Sequence, residues 1–423
     1  MVFLGASFNA GVVRAQVSSQ RLVDAAKEPQ NWLTYSGDYA GRRHSALEQI
    51  GTSNVGRLRP QWVFQSEEKG KFETTPLVVD GVMYVTGQEN LAYALDARTG
   101  RTLWRYQHPW PEDVRLCCGT VNRGFAVLGD KVFLATLDAH VVALDAKTGN
   151  VVWDVVAADY RKGYSFTLAP LAVKDKIIVG VAGGEYGIRG FIDAYDAETG
   201  KRAWRFYAIP GPGEPGHETW EGDSWKTGGS PAWLTGTYDP ELNLTYWGIG
   251  NPGPDLYGEE REGDNLYSNC VVALDADTGK LKWYFQFTPH DVHDWDATQI
   301  PVLLDLEFKG KPRKLLVQAN RNAFYYVLDR TNGEFLHASA FARQTWAKEI
   351  DANGRPVVLP GTDPTPEGNR VCPGLAGATN WMSPSYSPQT DLFYVAVREQ
   401  CDIYFNLPQP YREGSIFFGS TYQ

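Results

Sequence analysis

One recurring pattern restricts the fold more than any other feature of the chain. Ala94-Leu95-Asp96-Ala97-Arg98-Thr99-Gly100 precedes Trp104, residues 143–149 precede Trp153, residues 194–200 precede Trp204, and residues 273–279 precede Trp283. A decayed copy, Val327-Leu328-Asp329-Arg330-Thr331-Asn332-Gly333, carries His337 where the Trp would stand. The first three Trp positions lie about 50 residues apart, the period of one four-stranded propeller blade. Each unit has a physical logic: a strand ends at Asp, the Asp side chain bonds the turn backbone, and Gly supplies the positive φ. The next strand then presents a Trp able to wedge against the neighbouring blade. Stretches such as 75–85, 131–137 and 177–181 are rich in β-branched residues between turn signals, and no long amphipathic pattern competes with them. The expected fold class is therefore all-β, a propeller of four-stranded blades, with about six blades at this spacing.

Between the third and fourth Trp lies a surplus holding Gly211-Pro212-Gly213-Glu214-Pro215-Gly216 and residues 220–229. Long insertions in propellers gather on one face and often carry function. The composition, 43% apolar and 21% charged with 14 Trp and 43 Gly, supports a large core and many tight turns. A net charge of −10 excludes a nucleic-acid surface, which needs clustered Lys and Arg. No stretch is apolar for long enough to span a membrane.

The five cysteines, Cys117, Cys118, Cys270, Cys372 and Cys401, form neither a Cys-x-x-Cys-His haem site nor a paired Cys-x-x-Cys zinc pattern. We read two disulfides and one buried thiol, which implies an oxidising compartment. Residues 2–13 are mildly apolar and run into Val13-Arg14-Ala15, the pattern of a secretory leader without its basic start. Residues 1–30 are thus expected to be a leader remnant and N-terminal arm, and residues 31–423 the propeller.

From about Trp32 to its end the chain resembles the pyrroloquinoline quinone (PQQ)-dependent methanol and ethanol dehydrogenases. The resemblance rests on Asp38-Tyr39-Ala40-Gly41-Arg42, the Trp repeats, and Cys117-Cys118 followed by Val121-Asn122-Arg123-Gly124. It continues through Gly184-Glu185-Tyr186-Gly187-Ile188-Arg189-Gly190, Gly250-Asn251-Pro252-Gly253-Pro254 and His290-Asp291-Val292-His293-Asp294-Trp295-Asp296. Members of that family have eight blades, so the resemblance implies that the last two or so are absent here.

PQQ is a flat tricarboxylate bearing an ortho-quinone, and a protein that holds it needs two flat covers, cations for the carboxylates and a Lewis acid at the carbonyl. The resemblance implies that Cys117 and Cys118 form a vicinal disulfide over one face and that Trp233 covers the other. It assigns Glu73, Arg123, Thr167, Gly183, Gly184, Arg321 and Asn380 to cofactor contacts. Arg123 suits a carboxylate through its two-pronged fork, and Arg321 suits charge developing on the quinone oxygens. Ala182 and Pro231 depart from the hydroxyl residues that the methanol enzymes carry there.

Glu185, Asn251 and Asp294 match the family's metal ligands, all oxygen donors as a hard cation requires. Asp296 adds a carboxylate two residues on, and in a strand-like segment the pair would share a side. Three carboxylates and an amide favour a trivalent ion, as in the lanthanide-dependent branch of the family, with Ca²⁺ as the alternative. By the same resemblance Asp294 is the catalytic base, and Arg321, beside the quinone oxygens, is the second catalytic residue. His293 replaces an aromatic residue near the substrate, and His290 and Asp291 read as turn formers. Cys372 and Cys401 would form a second, structural disulfide, leaving Cys270 inert on a core strand.

The implied activity is periplasmic oxidation of primary alcohols to aldehydes, with electrons passed to a cytochrome c. Two other readings are an inactive propeller fragment and a non-enzymatic propeller scaffold. The scaffold shares the turn and the Trp, but has no reason to carry the vicinal cysteines together with Glu185, Asn251 and Asp294.

Overall fold

In the computed structural model of the chain, which describes residues 17–67 and 69–423, every copy of the repeat closes the last hairpin of a four-stranded antiparallel sheet. Asp96 Oδ1 accepts from the amide and the hydroxyl of Thr99, both at 3.0 Å, and Gly100 takes φ 71°. Asp145, Asp196, Asp275 and Asp329 do the same in their own turns. In all five sheets the pairing slips by one residue just before that Asp. Such a bulge sharpens the twist of the hairpin.

Blade I comprises Leu77–Val79, Val82–Thr86, Leu91–Asp96 and Thr102–Gln107. Blade II comprises Ala126–Leu128, Lys131–Ala135, His140–Asp145 and Val151–Val156; blade III comprises Leu171–Val173, Lys176–Gly180, Phe191–Asp196 and Arg202–Tyr207. Blade IV comprises Thr237–Asp239, Leu244–Gly248, Cys270–Asp275 and Leu281–Gln286; blade V comprises Val302–Phe308, Lys311–Ala319, Phe324–Asp329 and Phe335–Ala340. The first strands of blades II and III approach each other, as do those of IV and V, while the fourth strands alternate toward solvent. First strands therefore face the centre and fourth strands the rim.

The repeat Trp residues lock neighbouring blades together. The indole N–H groups of Trp104, Trp153, Trp204 and Trp283 donate to the carbonyls of Ala146, Ala197, Ala276 and Arg330 in the next blade's turn, at 3.0–3.2 Å. Each ring lies flat on that turn's glycine: a Cβ on Gly149, Gly200, Gly279 or Gly333 would stand 2.4–2.8 Å from it. The repeat Gly thus serves twice, once for φ and once as a seat. Trp62 makes the same bond to Ala97 O at 3.2 Å, over Gly100. It is a fifth docking Trp, hidden in the sequence because no Asp-x-x-Thr-Gly turn precedes it.

At the joint of blades I and II, His108 Nε2 lies 3.1 Å from Asp138 Oδ2, and His140 Nδ1 lies 2.8 Å from Asp154 Oδ1. Residues 32–43 tie the inner strands together. Trp32 pairs with Val78, the Tyr39 hydroxyl donates to Ala172 O, Tyr238 N donates to Tyr39 O, and Leu303 N donates to Ala40 O.

A sixth four-stranded blade is not formed among the described residues. After blade V the chain lays down the hairpin Ala347–Ile350 with Pro356–Val358, the sheet of Asn369–Val371, Asp402–Phe405 and Thr421–Tyr422, and the hairpin Ser385–Ser387 with Leu392–Tyr394. The physical reason is local, since no Asp-x-x-Thr-Gly unit follows Gly333 and Pro and Gly interrupt the strands. The short helix Ser19–Val23 buries Leu22, and Arg21 pairs with Glu28 and Asp80, so residues 17–30 dock on the blades. The leader expected in residues 2–15 lies outside the described residues. No helix among those described is long and apolar enough to cross a membrane.

Candidate active site

In a four-stranded antiparallel blade, the entry to the first strand and the link between the second and third strands open at the same end. The expected site residues occupy these two kinds of connection. Glu73, Arg123, Thr167, Trp233 and the Asp294–Asp296 segment lead into the first strands of blades I to V in turn, with Cys117 and Cys118 in the I–II crossing. Gly183, Gly184, Glu185, Asn251 and Arg321 sit in second-to-third links. Radial geometry then turns positions scattered along the sequence toward one mouth.

There a cavity of about 270 Å³ is lined by Glu73, Cys117, Cys118, Arg123, Thr167, Ala182, Gly183, Glu185, Trp233, Asp294, Asp296, Arg321 and Asn380. Asn251 and Gly184 stand behind this lining, with Asn251 Oδ1 3.3 Å from the place a Cβ on Gly184 would occupy. Gly183 must lack a side chain, because φ is 112° and a Cβ would lie 2.0 Å from Gly163 O. Lys71, Tyr186, Leu375, Ala376 and Trp381 also line the space. Sequence reasoning passed over them; for Trp381 the available signal was its place beside Asn380.

Cys117 and Cys118 are joined by a disulfide, as are Cys372 and Cys401. The second bridge closes the loop that presents Asn380 and Trp381. Asn380 Nδ2 donates to Ala376 O at 2.9 Å and its Oδ1 accepts Trp381 N at 2.8 Å, so the amide also braces its own loop. Glu185 Oε1 lies 3.1 Å from Cys117 Sγ and 3.9 Å from Cys118 Sγ. These sulfurs carry no proton, so the contact sets a carboxylate against the disulfide rather than forming a hydrogen bond. Cys270 is fully buried on the third strand of blade IV, and burial pushes its thiol up.

Two buried arginines frame the cavity. Arg123 donates to Glu73 Oε2 at 2.6 Å and to Thr167 O at 3.1 Å, and lies over the rings of Trp233 and Trp381 at 5.0 and 5.7 Å. Burial lowers the guanidinium's affinity for its proton, and Glu73 opposes this. Arg321 donates to Asp296 Oδ2 and stands 3.7 Å from Asp294 Oδ1. Burial works against its charge too, yet Asp294 and Asp296 hold it above its ordinary value. The Nε of each arginine finds no acceptor among the described residues. Buried donors left open this way suit an anionic guest.

The two aspartates differ in engagement. Both oxygens of Asp296 are occupied: Oδ1 accepts Asn251 N at 2.9 Å, and Oδ2 accepts Trp233 Nε1 at 2.9 Å together with Arg321. Among the described residues Asp294 has only the distant arginine. The segment is not the strand expected from the sequence. Asp291 accepts from His293 N at 3.0 Å and Trp295 N at 2.7 Å, which curls the chain and puts Asp294 at φ 59°. The curl still delivers both Asp294 and Asp296 to the cavity wall. His293 does not line that wall: it stacks on Trp295 at 4.3 Å and bonds Thr362 O, so its identity is set by packing.

Burial raises Glu185 to about 7 with help from the Asp296 charge, while Arg321 opposes it. Asp294 and Asp296 are also pushed up by burial, against the pull of Arg321. A group of dehydrated carboxylates with one arginine among them has the chemistry of a hard-cation site.

The family model described as "PQQ: Glucose/ethanol/alcohol dehydrogenase, beta-propeller domain" matches residues 32–340. The quinoprotein alcohol dehydrogenase PedH of Pseudomonas putida is 41% identical over 99% of this chain and 75% of its own length. A lanthanide-dependent methanol dehydrogenase of Methylacidiphilum fumariolicum is 39% identical over 96% of this chain and 70% of its own. Among solved structures, a europium-containing methanol dehydrogenase superposes with a TM-score of 0.91 at 39% identity, covering 95% of this chain and 74% of that one. The chain spans 55–75% of the length of such curated relatives. It belongs to the PQQ-dependent β-propeller family of glucose, ethanol and alcohol dehydrogenases.

Proposed function

We propose that the protein oxidises primary alcohols to aldehydes in the periplasm, using PQQ and one lanthanide(III) ion, and passes the electrons to a cytochrome c. The observation that carries this reading is the cavity itself. An indole and a vicinal disulfide line it, two buried arginines each keep a free Nε, and carboxylates gather beside one of them. Arg123 would meet a carboxylate of the cofactor, and Glu185, Asn251, Asp294 and Asp296 would hold the ion. Three carboxylates against one arginine leave an anionic excess that a trivalent ion offsets better than Ca²⁺. The cofactor supplies an electrophilic carbonyl that takes up hydride, and the ion polarises that carbonyl.

The two aspartates divide the labour. Asp296, fixed by three donors, can anchor a cation but has no free oxygen turned to substrate. Asp294 keeps its lone pairs free and is placed to take the alcohol's hydroxyl proton. Arg321, 3.7 Å away, favours the ionised form of Asp294 that this step needs. Trp233 both covers the cavity and fixes Asp296, so it couples the flat wall to the ligand set.

The test is reconstitution of the chain with PQQ and either La³⁺ or Ca²⁺, followed by alcohol-dependent dye reduction. Turnover of primary alcohols, faster with La³⁺, is expected. Cofactor and ion bound without turnover would refute the alcohol reading.

A further inference from the structure

Asp255 is fully buried, and among the described residues neither of its carboxylate oxygens has a hydrogen-bond donor. A dehydrated, unpartnered carboxylate is costly, so its surroundings matter. The nearest cation on its own segment, Arg261, spends its donors elsewhere: on Pro254 O, on Asn265 Oδ1 at 2.8 Å and on Asp291 O. On the other side Asp255 lies against the Asn251 side-chain amide, and it feels the charges of Glu185 and Asp296. The Asn251 Nδ2 points back toward Pro252 O at 3.2 Å, leaving Oδ1 on the Gly184–Glu185 side. A carboxylate behind an amide stabilises that orientation, because it attracts the NH₂ group and repels the oxygen.

We infer that Asp255 is a positioning residue of the metal centre. It keeps the Asn251 oxygen turned toward the ion, and it adds a further negative charge that favours a trivalent over a divalent cation. This rests on the cavity being a PQQ–metal site. The unpaired state of Asp255 then has a reason, since a bound cation relieves it. In the metal-free protein the buried, donorless carboxyl is a burden, so removing it acts with opposite signs on the two forms.

The experiment compares wild type with Asp255→Asn and Asp255→Ser, each loaded with PQQ. Tb³⁺ binding is followed by tryptophan-sensitised luminescence, Ca²⁺ by competition, and the metal-free melting temperature by circular dichroism. The Tb³⁺-to-Ca²⁺ affinity ratio is expected to fall at least tenfold in both variants, with the metal-free melting temperature unchanged or raised. An unchanged ratio while wild type binds both ions overturns the role given to Asp255 alone. So does a lowered metal-free melting temperature with intact ion affinity, which would mark a structural residue. Wild type that takes neither ion overturns the site reading and this inference with it.

Discussion

Replacing Asp296 separates charge from scaffolding, and the structure dictates which replacement does so cleanly. Asp296→Ala would leave Arg321 without its closest anion and strand the Asn251 and Trp233 N–H groups. Breaking a buried pair in this way costs about 3–5 kcal/mol and confounds metal affinity with stability. Asp296→Asn keeps one oxygen and the shape, at a cost of about 1–3 kcal/mol for the donor left unmatched. The charge effect is then readable. A unit charge roughly 4 Å from an ion contributes about 4 kcal/mol per unit of ion charge at an effective dielectric near 20. A trivalent ion therefore loses about 4 kcal/mol more than a divalent one, roughly a thousandfold in selectivity, and still about tenfold if the dielectric is three times larger. Competitive La³⁺ and Ca²⁺ titrations of the PQQ-loaded variant, with melting temperature as a control, measure this. Equal weakening of both ions would refute the reasoning.

Three further outcomes follow from the structure. Trp204→Ala should destabilise the chain by about 3–5 kcal/mol in urea titration, while Trp204→Phe, which keeps a ring at Gly279 but loses the bond to Ala276 and part of the indole, should cost about 1–2 kcal/mol. Replacing Cys372 and Cys401 with Ala, a pair separated by 29 residues, should cost about 3.5 kcal/mol. It should also weaken PQQ binding measured by fluorescence quenching, because the loop with Asn380 and Trp381 loosens. The bond to Asp154 raises His140, against burial, with Asp138 adding to the effect. A raised folded-state value means its stabilisation is complete below about pH 6.5 and is lost as pH rises beyond that. Melting temperatures from pH 6 to 8.5 should therefore fall more steeply for wild type than for His140→Gln.

The propeller was legible because its repeat is a local device: Asp, Thr and Gly specify the turn, and the turn specifies the seat for a Trp. Wherever that unit was intact, a four-stranded sheet formed. Trp62 was hidden because no Asp-x-x-Thr-Gly turn precedes it, and the region after Gly333 forms no blade although the repeat spacing promises one. For the site, motifs pointed to Glu185, Asn251 and the two aspartates, and radial convergence explains how distant loops meet. The curl at Asp294 depends on Asp291 bonding the backbone on both sides of it, and a strand reading could not foresee that. Lys71 and Asp255 carried no motif. Lys71 is marked by its place on the cavity wall and Asp255 by its missing partners, which only coordinates display.

Anomalous X-ray scattering at a lanthanide absorption edge, from crystals of the PQQ- and lanthanide-loaded chain, addresses the central claim most directly. The account predicts a single strong peak bounded by Glu185, Asn251, Asp294 and Asp296, between Trp233 and the Cys117–Cys118 bridge. A peak elsewhere, or none at that place with PQQ in the cavity, would contradict it.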